Sequence, residues 1–229
     1  MLDTICFPGF SLKPSMYSNV DSLNNSQSIE FNIDQDYLSI LDELHTKIPK
    51  NHLVVGYSQG ARLALAIEAQ YPGTFRGMVL ISVNAGLNAQ EQESRKIQDF
   101  ENAELAKNDL DSFYKSFDMK DVFSQYSQEQ QEYLDSLRIN DENIVASQLR
   151  NLGLGSMPNY ENRLNSISIP VAYISGARDK KYTQLSAKYK KMTPFSNHIV
   201  LDSDHRIFLE SPNTLSLAIQ WFSNQFFNR

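Results

Sequence analysis

The stretch Leu53-Val-Val-Gly-Tyr-Ser-Gln-Gly60, running on into Ala61-Arg-Leu-Ala-Leu-Ala66, decides the fold. Its apolar start is too short for a core helix, and the residues after the glycines favour helix. The segment therefore reads strand, tight turn, helix. The turn is Gly-x-Ser-x-Gly, which alone recurs by chance; its place between a strand and a helix is what makes it informative. A serine on such a turn sits in a strained backbone, where bulky neighbours would clash, and Gly56 and Gly60 relieve that crowding. Ser58 then stands at a helix N-terminus, where free N–H groups stabilise a developing anion.

Outward from this point the chain alternates. Thr4–Phe7, Ile29–Ile33, Leu53–Val55, Met78–Val83, Val171–Ser175 and His198–Leu201 read as strands. Helical spacing joins Tyr37, Leu38, Leu41, Leu44 and Ile48, and again Leu63, Ala66 and Ile67. Such alternation predicts an α/β fold, a mostly parallel sheet covered by helices on both faces. The pattern breaks between residues 88 and 150, where no strand is legible. That stretch holds 14 Asp and Glu against 7 Lys and Arg, with spaced aromatics from Phe100 to Tyr133. So many aromatics argue against a disordered acidic linker. The expected organisation is a core from residues 1–87 and 151–229, with residues 88–150 as a helical lid.

A serine hydroxyl needs a base. Of the four histidines, His205 follows the last strand, and open α/β sheets place their sites at the C-terminal ends of strands. The orienting acid is expected between serine and histidine in chain order. Asp179 follows the strand Val171–Ser175 at the matching end; Asp202 and Asp204 are rivals, but they are sequence neighbours of the histidine. Two backbone N–H groups are candidates for an oxyanion hole. One is that of Gln59, after the nucleophile. The other is that of Phe10, where Gly9 lets the loop bend towards the serine and Pro8 has no N–H to give.

These residues resemble the α/β-hydrolase superfamily, and most closely the branch containing 2-succinyl-6-hydroxy-2,4-cyclohexadiene-1-carboxylate synthase, an enzyme of menaquinone biosynthesis. The likeness rests on Gly56-Tyr-Ser-Gln-Gly-Ala-Arg62, on Leu149-Arg-Asn-Leu-Gly-Leu-Gly-Ser-Met-Pro158, on Pro170 to Tyr182 with its Asp-x-Lys-aromatic, and on His205 followed by Glu210-Ser-Pro212. It covers nearly the whole chain. The chain departs from the branch at Phe7-Pro8-Gly9, where His-Gly is usual, and at Ala61, where the elbow has a further glycine. The segment Phe117–Phe123 lacks a tryptophan and an arginine, the Gly-His-Gly loop near Ile33–Gln35 is absent, and the N-terminal hairpin is not found. The resemblance implies an α/β-hydrolase fold, a Ser58–His205–Asp179 triad and a polycarboxylate substrate from which pyruvate is eliminated. Arg62, one helical turn from Ser58, and Arg150, where the lid returns to the core, are then candidate carboxylate ligands. Arginine's planar fork suits that task; the other reading of each is a surface ion-pair partner. Tyr57, beside the serine, could hydrogen-bond the substrate or simply pack.

Bulk properties narrow the classes. The net charge of −6 and pI near 5.2 argue against nucleic acid or anionic membrane as partner. No stretch has the length of a membrane span, and Met1–Phe10 lacks the basic start of a signal peptide, so a cytoplasmic setting is expected. Cys6, the single cysteine, reads as a small apolar residue of the first strand. The histidines lack metal-ligand spacing, so neither metal nor organic cofactor is expected. The expected partner is a small anionic or ester substrate. The alternatives are a carboxylesterase or thioesterase working through a Ser58 acyl-enzyme, which would use the same triad, and a non-catalytic binding protein on the same fold.

Overall fold

The computed structural model describes residues 3–227. Five parallel strands form one sheet in the order β1 (Thr4–Phe7), β2 (Leu53–Tyr57), β3 (Gly77–Ile81), β4 (Val171–Gly176) and β5 (Ser196–Leu201). Cys6 lies opposite Val55, Val55 opposite Val79, and Val79 opposite Ala172. The first four strands are buried along their full length, which explains why they read as continuous apolar runs.

Strand side chains alternate between two cores, as the two-residue period requires. Ile5, Phe7, Val54, Leu80 and Tyr173 face α1 (Tyr37–Lys47), α2 (Gln59–Gln70) and α7 (Lys180–Met192). Cys6, Val55, Val79, Ala172 and Ile174 face α9 (Pro212–Phe227) and the short α8 (Ile207–Glu210). Helix α1 begins where the Asp36 carboxylate accepts the N–H groups of Leu38 and Ser39, a cap that satisfies two otherwise unpaired donors.

Between β3 and β4 lie four helices: α3 (Ala89–Asn108), α4 (Leu110–Asp118), α5 (Gln128–Leu137) and α6 (Glu142–Leu152). Helices α3, α4 and α6 enclose a small core of their own around Ala103, Phe113, Val145 and Leu149, against which Phe10 packs. Among the described residues no helix is long and apolar enough to cross a membrane.

The expected strand Ile29–Ile33 is not formed. The open edge of β1 exchanges two backbone hydrogen bonds with Gln27: Cys6 N–H donates to Gln27 O at 2.7 Å, and Gln27 N–H to Thr4 O at 2.8 Å. Beyond Gln27 the backbone is satisfied by side chains. The Glu43 carboxylate accepts from Asn32 N–H at 3.2 Å, and Asn151 donates to Ile33 O at 2.8 Å. Ile29, Phe31 and Ile33 do turn towards the core, so the alternation reports burial of one face without a neighbouring strand. Several boundaries also shift: β2 runs on to Tyr57, β3 begins one residue earlier at Gly77, and β4 runs on to Gly176. Strand β3 stops at Ile81 because Ser82 takes a left-handed φ of 52°, and β5 starts two residues before His198.

Candidate active site

Ser58 has φ 50° and ψ −105°, a conformation that L-residues avoid, at the junction of β2 and α2. The glycines around it are sterically fixed. A Cβ on Gly60 would stand 2.1 Å from Phe7 O, and one on Gly56 would stand 2.6 Å from Gly60 O. The turn therefore holds α2 hard against the end of β1 and aims Ser58 out of the sheet. The side chain of Ser58 makes no capping bond to its own helix.

His205 Nε2 lies 3.2 Å from Ser58 Oγ, and His205 Nδ1 lies 2.6 Å from Asp179 Oδ2. Asp179 and His205 are both buried. The second oxygen of Asp179 accepts from Tyr182 N–H at 3.2 Å, where Asp179 caps α7. One carboxylate oxygen is thus held by the helix and the other by the imidazole, which fixes the ring with Nε2 towards the serine. Such a relay can remove a proton from Ser58 or, through it, from a bound molecule. Asp202 and Asp204, the rival acids, serve other groups. Asp202 pairs with Arg178 at 2.6 Å, and Asp204 binds the segment between α4 and α5.

That segment is gripped by three consecutive residues. Asp204 accepts from Ser124 N–H at 2.6 Å and from the Tyr126 hydroxyl. His205 N–H donates to Val122 O at 3.1 Å. The Arg206 guanidinium pairs with Asp118 at 2.5 Å and lies 3.8 Å from the centroid of the Phe123 ring. Phe123 in turn meets the His205 imidazole edge to face, with centroids 5.7 Å apart.

Ser58 and His205 open into a cavity of about 590 Å³ that also exposes Phe10, Gln59 and Arg62. Four cations line it, Arg62, Arg95, Lys120 and Lys181, against two carboxylates, Asp99 and Asp121. A chain of net charge −6 thus builds a cavity with an excess of positive charge. The Arg62 Nη1 is buried and has no hydrogen-bond partner among the described residues, and burial lowers the pKa of this guanidinium. Arg95 is already paired through Nε with Asp99, at 2.7 Å. Among the described residues no acceptor is found for the Phe10 N–H, and Gln59 opens α2, where the N–H groups have no intrahelical partner. Both are free to serve an oxyanion.

Two candidate ligands stand elsewhere. Arg150 does not reach this cavity. It pairs with Glu104 across the outer side of α3 and α6, its guanidinium 5.6 Å from the Phe100 ring, while its neighbour Leu149 faces the cavity. Adjacent helix residues point about 100° apart, so only one of the two can face inward. Tyr57 is buried beneath the serine, its ring 5.5 Å from His205 and 5.2 Å from Phe208, and it borders a narrower cleft beside Ser58. Sequence reading missed Arg95, Lys120 and Lys181. Lys181 is the lysine of the Asp-x-Lys-aromatic stretch, but nothing there assigned it a ligand role; for the other two the signal was weak, with only the Arg95–Asp99 spacing of four residues marking a pair.

Strand order, strained serine and histidine loop together define an enzyme fold with a site at the C-terminal edge of its sheet. The chain belongs to the alpha/beta hydrolase family, whose sequence model matches residues 4–216. Among its relatives is a 2-succinyl-6-hydroxy-2,4-cyclohexadiene-1-carboxylate synthase of Citrobacter koseri, 26% identical over 210 residues that make up 90% of this chain and 81% of that protein. A Bacillus subtilis protein given the same synthase name provisionally is 29% identical over 198 residues, 82% of this chain and 70% of its own. The solved structure of MenH from S. aureus superposes with a TM-score of 0.89 at 21% identity, covering 98% of this chain and 94% of that one.

Proposed function

We propose that this enzyme is a 2-succinyl-6-hydroxy-2,4-cyclohexadiene-1-carboxylate synthase, which removes a proton from a polycarboxylate and expels pyruvate. The observation that carries this reading is a hydrogen-bonded Ser58–His205–Asp179 relay opening into a cavity with surplus positive charge. His205 draws the proton off Ser58 as Ser58 Oγ takes one from the substrate carbon. The carbon–hydrogen electrons become a double bond, the carbon–oxygen bond breaks with its electron pair leaving on oxygen as the enolate of pyruvate, and the proton held by His205 is returned to that enolate, which gives pyruvate and frees the base. The N–H groups of Gln59 and Phe10 stabilise the negative charge that develops on the substrate. Arg62 holds a substrate carboxylate, and the helices of residues 88–150, with the end of α6 at Leu152, act as the lid.

Arg62→Ala tests the pocket. Removing one partner of a desolvated charge pair costs on the order of 2–5 kcal/mol. The expected loss in kcat/KM on the polycarboxylate is therefore roughly 30-fold or more, at about tenfold per 1.4 kcal/mol. Cleavage of a neutral short-chain ester should stay near the wild-type rate, since it offers no carboxylate. The fold should not suffer, because among the described residues Arg62 makes no ion pair and its Nη1 has no hydrogen-bond partner. A wild-type enzyme that cleaves the ester well and ignores the polycarboxylate would replace the synthase reading with the esterase one. An Arg62→Ala enzyme equal to wild type on the polycarboxylate would remove Arg62 from the site.

A further inference from the structure

The cavity holds more cation than one carboxylate requires. Arg62 comes from α2, beside the serine. Lys120 comes from a different element, the loop after α4, and lines the same cavity. Among the described residues no carboxylate lies within ion-pair distance of its ammonium, which rests 4.0 Å from the centroid of the Phe117 ring. An aromatic face attracts an ammonium without occupying its N–H donors as an acceptor would. Lys120 is thus held in place and left unneutralised. Asp99 is committed to Arg95 and to the Gly155 N–H at 3.1 Å, so it is not free to approach.

We propose that Lys120 is a second anion-binding point of the cavity, one that selects substrates carrying a further carboxylate beyond the one taken by Arg62. This rests on the reading of the cavity as a polycarboxylate site, and it names the residue that discriminates two charges from one. Two cations on separate elements fit a ligand whose carboxylates are set apart, whereas a monoanion can satisfy only one of them.

The charge of Lys120 is conditional. Lys120 is exposed as a residue, with its ammonium turned to the cavity wall; partial desolvation there, then the Arg95 guanidinium, lower its pKa to about 8, against the opposing pull of Asp99. The charged form is present below that pKa and is lost as pH rises through it. The other groups facing this space are Arg62 from α2, Arg95 and Asp99 from α3, the adjacent Asp121, Lys181 and Tyr182 from α7, and His205. Burial raises the Tyr182 pKa, so its phenol stays neutral across the range in question.

Calorimetric binding of succinate and of succinamate, its isosteric monoanion, tests the assignment without relying on turnover. At about pH 7 wild type is expected to prefer succinate by roughly tenfold, the scale of one added charge contact. Lys120→Met should bind both alike. Raising the pH to about 9 should erase most of the wild-type preference, while Lys120→Arg, whose guanidinium stays charged, should keep it. A Lys120→Met protein that retains the wild-type preference overturns the proposal, as does a Lys120→Arg protein that loses its preference at high pH in step with wild type. If wild type binds neither ligand, the anion site itself is wrong and both readings fall. If the preference behaves as expected while the polycarboxylate is not turned over, the synthase reading falls and Lys120 remains a dianion selector.

Discussion

Asp179→Asn is expected to lower kcat by roughly 10³–10⁴ while leaving the melting temperature nearly unchanged. The reason lies in the two donors that this carboxylate serves. One oxygen accepts the Tyr182 N–H at the start of α7, and the other faces His205 Nδ1 at 2.6 Å. An asparagine has a single oxygen. The Tyr182 N–H cannot turn away without unwinding the helix end, so the amide oxygen faces it and the NH₂ group faces the imidazole. His205 must then accept at Nδ1 and carry its proton on Nε2, where it cannot act as a base towards Ser58. Steady-state rates on the polycarboxylate and on a neutral ester should fall together, because both use the same base. A variant that keeps more than about a tenth of wild-type kcat would show that Asp179 does not set the tautomer, and would return Asp204 to consideration.

Gly60→Ala should be among the most destabilising single methyl additions in the molecule. Its Cβ would lie 2.1 Å from Phe7 O and 2.5 Å from both Phe7 C and Pro8 O, all backbone atoms of β1 and its following loop. No side-chain rotation relieves such a contact; α2 must lift from the sheet or β1 must move. Overpacking costs typically about 1–3 kcal/mol, and a rigid backbone clash belongs at or above the top of that range. In a chain of this size that is a fall in Tm of about 6–12 °C. Activity should fall further than stability, since the same shift displaces Phe10 from the serine. A thermal melt within about 2 °C of wild type would mean that the turn is looser than its geometry indicates.

What the sequence disclosed and what it hid have different physical origins. The Ser58 turn is local: backbone sterics over five residues demand glycine at Gly56 and Gly60, so the pattern is written where it acts. Chain order and strand ends then suffice to choose His205 and Asp179, and these three side chains do come within hydrogen-bonding reach of one another. Ile29–Ile33 was misread because alternation records which side chains are buried and is silent on what satisfies the backbone. There the partners are the side chains of Glu43 and Asn151, distant in sequence. Arg150 was misplaced for a related reason. Helical phase puts Leu149 and Arg150 on different faces, and only the packing of α6 against α3 decides which one meets the cavity. Lys120 follows the end of α4, in a loop without periodicity, and nothing nearby in the sequence announces its place over Phe117.

The grip of residues 204–206 on the segment above them has a consequence for how the protein breathes. Ser124 N–H, His205 N–H and Arg206 N–H end on Asp204, Val122 and Asp204 respectively, so all three bonds cross or brace one junction. Opening that junction exposes all three amides at once, and it carries the imidazole out of register with Ser58 in the same event. In deuterium exchange these amides should therefore form one cooperative unit with a shared opening free energy, below that of the β2 and β3 strand amides. Tyr126→Phe, which removes one donor to Asp204, should hasten exchange at all three together and leave the strands untouched. Should Ser124 exchange more than about tenfold faster than His205, the two sides would be opening independently.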